Sequence, residues 1–262
     1  MISFDVRRVA ETQSTNADVL SLARDGAPQG IVVVADHQTA GRGRLGRSWT
    51  APPGASLLLS VLLRPTAAYA DAVTVVTGLA MAEGIEAVTG VRPHLKWPND
   101  LVVESPDGPP SGRKLAGILA EADWPARSTA AGGWSAPPPT ERVAVVVGVG
   151  VNCTWPEEVP EELADRLVAL NHLTGAPVDR DAVLAAFLER LGERYDEAEP
   201  RGVLLDAWRA RSATLGRHVR IELGADDVEG VAVDIDDAGR LVVQTDDGER
   251  RTFAAGDVVH LR

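Results

Sequence analysis

Three arginines, Arg42, Arg44 and Arg47, alternate with three glycines, Gly41, Gly43 and Gly46, in the segment GRGRLGRSW that ends on Trp49. Glycine lets backbone amides come close to a phosphate, and guanidinium groups offer always-charged, planar donors to phosphate or carboxylate oxygens. The spacing suits a flexible loop over a small anionic ligand, with a solvated basic loop as the plain alternative. Its literal match to the G-x-G-x-x-G dinucleotide fingerprint fails on context. That fingerprint must open a helix, whereas this segment runs on through Thr50 and Ala51 into Pro52, Pro53 and Gly54.

Four further segments carry chemistry-capable residues. In KWPND, Lys96 supplies a point charge for a phosphate, and Asp100 could hold a metal ion or orient a lysine; a turn with a surface ion pair is the alternative. In KLAGIL, Lys114 stands at the entrance of an apolar strand that Gly117 interrupts, and a strand glycine often marks the close approach of a ligand. GVGVN, residues 148–152, leaves a strand through two glycines and Asn152, whose amide can both donate and accept at a purine edge; Trp155 follows and could stack on a base. TQSTN precedes a helix-like run, where Thr15 and Asp18 read as a capping box. The hydroxyls of Ser14 and Thr15 could equally bond a neutral polar ligand such as a cyclic urea.

These residues need elements to hold them. Ile31–Ala35, Ser56–Leu63, Leu101–Val103, Leu115–Leu119 and Arg142–Val147 read as strands. Residues 71–88 carry apolar positions at helical spacing and stop at Gly90. Asp179–Ala198 reads as an amphipathic helix capped by Asp179, with Val183, Leu184, Phe187, Leu188 and Leu191 on one face. Trp124–Thr140, rich in Ala, Gly, Ser and Pro, reads as a loop joining two strands of a hairpin. Beyond residue 215 the runs His218–Leu223, Glu229–Ile235, Leu241–Gln244 and Val258–Leu261 alternate with turns at 224–226, 236–239 and 246–248, as in a small barrel of about five strands. The irregular order of helices and strands gives an α+β fold, divided at 1–214 and 215–262. No motif lies beyond Trp155, so the second part is expected to assist the chemistry rather than house it.

Composition narrows the function. A formal net charge of −12 argues against a general nucleic-acid binder, which needs clustered Lys and Arg to neutralise phosphates. The local arginine knot therefore points to a small anionic ligand. Cys153 is the single cysteine, so an intramolecular disulfide is impossible and a reducing cytoplasm fits. The N-terminus lacks a signal peptide's basic start and apolar run, and no stretch approaches the ~18 apolar residues of a membrane span.

Taken in order, STN, GRGRLGRSW, KWPND, KLAGIL and GVGVN resemble the signature segments of the biotin–protein ligase family, over nearly the whole chain. The resemblance implies a mixed-sheet catalytic domain similar to that of class II aminoacyl-tRNA synthetases, followed by a small SH3-like barrel. It implies ATP-dependent attachment of biotin to one lysine of a biotin carboxyl carrier protein through biotinyl-5′-adenylate, with Mg²⁺. Residue by residue, Ser14, Thr15, Asn16 and Gln38 would meet biotin's ureido ring, Arg44 and Lys114 its carboxylate or the acyl phosphate, and Gly117 and Arg42 would lie along it. Arg42, Arg47 and Lys96 would hold the triphosphate beside Gly41, Gly43 and Gly46. Asn152 would meet adenine, Trp49 and Trp155 would pack near the nucleotide, and Asp100 would support Lys114 or Mg²⁺. The catalytic part begins almost at Met1, leaving no room for the DNA-binding domain of some members. The monofunctional kind, acting without nucleic acid or membrane as a monomer or weak homodimer, is expected. A lipoate-type ligase or acyltransferase, or a non-catalytic biotin or nucleotide sensor, is the alternative.

Overall fold

A computed structural model of the chain describes residues 2–104, 112–123, 137–201, 205–223, 227–254 and 256–261. Seven strands make the main sheet: β1 (Asp5–Thr12), β2 (Ile31–Gln38), β3 (Ser56–Leu63), β4 (His94–Lys96), β5 (Asp100–Val103), β6 (Arg113–Asp123) and β7 (Ala144–Asn152). Their order is β1-β2-β3-β7-β6-β5-β4, with β1 parallel to β2 and every other pair antiparallel. All eight residues of β3 are buried, as its place inside the sheet between β2 and β7 requires.

Among the described residues six α-helices accompany the strands: α1 (Thr15–Arg24), α2 (Val73–Thr89), α3 (Glu161–Ala164), α4 (Leu170–Thr174), α5 (Arg180–Arg201) and α6 (Leu205–Arg209). Side chains alternate across a strand, so a run of small aliphatics feeds both faces of the sheet. On β2, Ile31 and Val33 pack with Val19 and Ala23 of α1, while Val32 and Val34 join the core under α2. On β7, Ala144 and Val146 face α1, and Val145, Val147, Val149 and Val151 face the larger core. Helix α2 is apolar on nearly every side because it lies between the sheet and α5. Gly90 ends it in the left-handed region at φ 71°.

The C-terminal sheet has five antiparallel strands, β8 (His218–Glu222), β9 (Val228–Ile235), β10 (Leu241–Thr245), β11 (Arg250–Phe253) and β12 (Asp257–His260). Their order is β11-β10-β9-β8-β12. Its interior, including Val219, Ile221, Leu241 and Val258, is continuous with the main core. Trp97 pins the two parts together: its indole N–H donates to the Gly239 carbonyl at 3.0 Å, and its backbone N–H to Thr214 Oγ1 at 3.0 Å.

Several sequence readings change. GVGVN is the C-terminal half of β7 and not a segment that follows it, and Arg142 and Val143 precede that strand. Strand β1, mostly exposed, and the short β11 carried no apolar signal and went unread. The hairpin reading holds for its strands, since β6 and β7 pair from Ala116↔Val151 to Asp123↔Ala144; residues 124–136 of its loop, and the 224–226 turn, lie outside the described residues. Asp179 caps α5, its Oδ1 accepting from the backbone N–H of Asp181 at 2.8 Å and of Ala182 at 3.2 Å. Among the described residues no helix is long and apolar enough to cross a membrane.

The α2–α5 crossing depends on Gly84, where an added Cβ would stand 2.9 Å from the backbone nitrogen of Phe187. Backbone cannot yield as a side chain would, so Gly84→Ala should destabilise the fold by about 1–3 kcal/mol. Chemical denaturation would show this as a lowered midpoint with an unchanged slope.

Candidate active site

Along β7, the face that carries Ala144 and Val146 under α1 continues into Gly148, against the first turn of that helix, and Gly150. There the absence of side chains makes a floor. Gly150 pairs with Gly117 of β6, and the Trp49 indole lies on both: a Cβ at Gly150 would meet Trp49 Cε2 at 2.5 Å, and one at Gly117 would meet Trp49 Cζ3 at 2.9 Å. At Gly148 the same addition would meet Asn16 Oδ1 at 2.2 Å. A cavity of about 440 Å³ stands over this floor.

One end of the cavity is neutral and polar. Ser14, Thr15 and Asn16 are buried at the start of α1. Gln38 Oε1 accepts from the Thr15 backbone N–H at 2.8 Å, and Thr15 Oγ1 lies 2.7 Å from Ser60 Oγ. Ser60 donates to Asn16 Oδ1 at 2.5 Å, and Asn16 Nδ2 donates to Glu121 Oε2 at 2.7 Å. Glu121 in turn receives Arg42 Nη2 at 2.9 Å. The capping box is not formed. Ser14 occupies the N-cap without a side-chain cap bond, leaving its hydroxyl to the cavity, and Asp18 accepts from Thr12 instead. A pre-bonded amide row with a spare hydroxyl suits a ligand that both donates and accepts, such as a ureido group.

The other end is charged. Six cations line the cavity, Arg42, Arg44, Arg47, Lys96, Lys114 and Arg166, against three carboxylates, Asp100, Glu222 and Asp257, an excess of three on a chain whose net charge is −12. Lys114 Nζ pairs with Asp100 Oδ1 at 2.7 Å and lies 5.4 Å from the centre of the Trp49 ring. The backbone of Lys114 is fixed from the other side. Its N–H donates to the Arg166 carbonyl at 2.7 Å, and its carbonyl accepts from Val168 N–H at 3.0 Å and from Asn152 Nδ2 at 3.3 Å. Burial holds the Lys96 ammonium below the ordinary lysine value; Asp100 opposes the shift, and Lys114 and Arg47 add to it. The Arg44 guanidinium is lowered for the same reason, burial first, with Asp100 opposing and Arg47 reinforcing. In both groups burial and the neighbouring cations disfavour the charged form, a cost that an anionic ligand would offset.

The Gly/Arg segment is an ordered tight turn. Arg42 bridges Ser48 in antiparallel fashion, Gly43 N–H donates to the Arg47 carbonyl at 2.7 Å, and Trp49 N–H donates to the Gly41 carbonyl at 2.9 Å. Leu45 at its tip has φ 53° and is 72% exposed.

Most residues singled out in the sequence converge here, but four do not line the cavity. Gly41 and Gly46 shape the turn from behind it. Asn152 is buried; its Nδ2 donates to the Lys114 carbonyl, and its Oδ1 accepts from Ser56 Oγ at 3.4 Å. Trp155 is buried against Ala55 and Ala169, with its indole N–H on Ser56 Oγ at 3.2 Å, so base stacking is replaced by a structural role. Among the described residues no three His, Cys, Asp or Glu side chains are grouped to hold a metal, and Asp100 is turned to Lys114. Sequence reading missed Ser60, Asn99, Glu121, Arg166 and Asp257. Asn99 stood inside KWPND; it donates to the Ile118 carbonyl at 2.8 Å and accepts from Arg44 Nη1 at 3.1 Å. The C-terminal sheet, expected to assist the chemistry rather than house it, contributes Glu222, Asp257, Val258 and Val259 to the wall.

Comparison with known proteins agrees with this geometry. Residues 7–131 match the family described as biotin/lipoate A/B protein ligase, and residues 214–261 match the biotin protein ligase C-terminal domain. A biotin–[acetyl-CoA-carboxylase] ligase of Mycobacterium tuberculosis is 40% identical over 97% of this chain and 88% of its own length. The chain belongs to the biotin protein ligase family. A further biotin–[acetyl-CoA-carboxylase] ligase, from Paracoccus denitrificans, is 31% identical over 95% of this chain and 98% of its own. Among solved structures, the biotin protein ligase of Aquifex aeolicus in complex with biotin and ATP superposes with a TM-score of 0.76 at 27% identity, covering 98% of this chain and 99% of that one. Family membership accounts for the pairing of a neutral polar end with a cationic one in a single cavity.

The glycine floor gives a direct test. Gly150→Ala places a methyl group where Trp49 lies, so the indole must leave the floor at a cost of about 1–3 kcal/mol. The expected result is a shifted tryptophan emission, an unfolding midpoint lowered in proportion to that cost, and at least a tenfold loss of ligand affinity, about 1.4 kcal/mol. Titration calorimetry with biotin measures it.

Proposed function

We propose that this chain attaches biotin to a lysine of a biotin carboxyl carrier protein in two steps that share the cavity. In the first, a carboxylate oxygen of biotin attacks the α-phosphorus of ATP; the bond from that phosphorus to the bridging oxygen breaks, and diphosphate leaves. In the second, the lysine amine attacks the acyl carbon of biotinyl-5′-adenylate, loses a proton, and displaces AMP. The observation that carries this reading is the cation excess beside the glycine floor. A carboxylate and a triphosphate repel each other, and Arg44, Arg47, Lys96 and Lys114 offset that repulsion and stabilise the charge that develops. Mg²⁺ enters as the counter-ion of the triphosphate and so belongs to the substrate.

The ureido ring is assigned to Ser14, Thr15, Gln38 and Asn16, with Arg42 held near it by Glu121. Lys114, aimed by Asp100 across the Trp49 ring, is assigned to the carboxylate and then the acyl phosphate. Arg47, Lys96 and Arg166 are assigned to the phosphates. Residues 1–214 form the catalytic part and 215–262 a part that completes its wall. A reducing cytoplasm suits the buried Cys153 thiol, which burial pushes up to about 11 and so keeps protonated and inert.

Two variants test the assignment. Lys114→Ala removes one charge-assisted contact, worth about 2–3 kcal/mol, and should slow biotin-dependent ATP–diphosphate exchange by about 30- to 150-fold. Exchange at the wild-type rate would remove Lys114 from the reaction. Arg44→Gly frees the turn from Asn99 while leaving Arg47 and Lys96 in place. The adenylate should still form but escape, labelling lysines of a bystander such as serum albumin. A variant that adenylates normally and labels only the carrier would show that Arg44 does not retain the intermediate.

A further inference from the structure

Arg44 and Arg47 are held over the cavity by the C-terminal sheet as well as by their own turn. Arg47 Nη2 is in direct ion-pair contact with Asp257 Oδ2, and Arg44 Nη1 lies 3.9 Å from Asp257 Oδ1. Both terminal nitrogens of Arg44 donate to the Gly256 carbonyl at 3.4 Å. Gly256 sits at φ 140°, and a Cβ there would stand 2.8 Å from Ile221 Cγ2, so the direction of that carbonyl is set by a backbone that glycine alone adopts readily. Asp257 opens β12, pairs in register with Glu222 of β8, and lines the cavity. No motif in the first part of the chain calls for an acid at this place.

Without ligand, Arg44, Arg47, Lys96 and Lys114 repel one another. Asp100 answers Lys114 from within the catalytic part. Asp257 gives Arg47 and Arg44 the equivalent answer from the other part. A turn with three glycines in six residues is otherwise costly to order. We propose that Asp257 is a positioning residue for adenylation, which holds the Gly/Arg turn in place over the empty cavity so that ATP meets arginines already in position. This rests on the two-step reading above. It assigns to the C-terminal sheet a specific task, the retention of one turn, at a carboxylate that touches no reacting atom.

The test uses the whole chain with Asp257→Asn, which keeps the shape and removes the charge, and Asp257→Glu, which keeps the charge. Without any ligand, trypsin should cut after Arg44 and Arg47 about tenfold faster in Asp257→Asn than in the wild type, because cleavage follows the population of the open turn; Asp257→Glu should stay near the wild type. In biotin-dependent ATP–diphosphate exchange, Asp257→Asn should raise KM for ATP about tenfold while changing kcat less than about twofold, and Asp257→Glu should restore it. Equal cleavage of wild type and Asp257→Asn, or an unchanged KM, overturns the proposal. A parallel fall in kcat and thermal midpoint that Glu does not rescue also overturns it, since that is the signature of a merely structural acid. Should the wild type itself show no exchange, the two-step reading fails, and the proteolysis still decides whether Asp257 holds the turn.

Discussion

A cavity built to receive two anions must first hold several cations together with nothing between them. On a chain of net charge −12, that concentration is the constraint to which the rest of the site answers. Lys114 is paired with Asp100, Arg42 with Glu121 and Arg47 with Asp257, so each acid keeps a cation in place while the cavity stands ready. These pairs are half-exposed, so their direct contribution to stability is small. Their value is geometric: they fix where each charge stands, which is what stabilisation of a developing charge requires. The residual strain appears in Lys96 and Arg44, both lowered by burial and by cationic neighbours.

The second requirement is room, and the sheet supplies it through alternation. The face of β7 that packs Ala144 and Val146 under α1 reaches the site as Gly148 and Gly150, so one strand serves as core at one end and floor at the other. Serine follows a similar logic on β3, where Ser60 completes the chain from Thr15 to Asn16 in a strand whose only other polar residue is Ser56. A polar group so deep is tolerable because both of its neighbours are hydrogen-bonded to it. The neutral polar row is therefore fixed before a ligand arrives, and little ordering remains to be done on binding.

Much of this was legible in the sequence, for identifiable reasons. Strands β2 and β3 are continuous apolar runs, α2 is apolar almost all round and α5 carries an apolar stripe, and Gly90 and Asp179 mark ends with their own chemistry. Strand β1 was illegible because an exposed edge strand has no face to bury. GVGVN was misread because glycines suggest an exit, whereas here they answer to Trp49 and Asn16, which are more than a hundred residues away in sequence. Asn152 and Trp155 were singled out because amides and indoles recognise bases; what local sequence could not show is that both are buried, Asn152 bonded to the main chain of Lys114 and Trp155 to Ser56. Asp257 could not have been found locally, since an acid beginning a short strand has no signal until the partner arginines are known.

The two parts of the chain are joined where the chemistry is. Trp97, one residue from Lys96, gives its indole N–H to Gly239, and Asn99, one residue from Asp100, receives Arg44, which also reaches Gly256. The KWPND tract thus carries cavity charges on Lys96 and Asp100, while its Trp97 and Asn99 tie the C-terminal sheet and the Gly/Arg turn to the same stretch of backbone. Movement of the C-terminal sheet would disturb the turn and Lys96 together. A mixed anhydride survives only while water is excluded, so a wall that closes as one unit protects it better than an independent lid. Had the sheet been a separate module on a linker, the continuous core through Val219, Ile221 and Val258 would have no purpose. Its presence makes the turn's position a property of the whole fold.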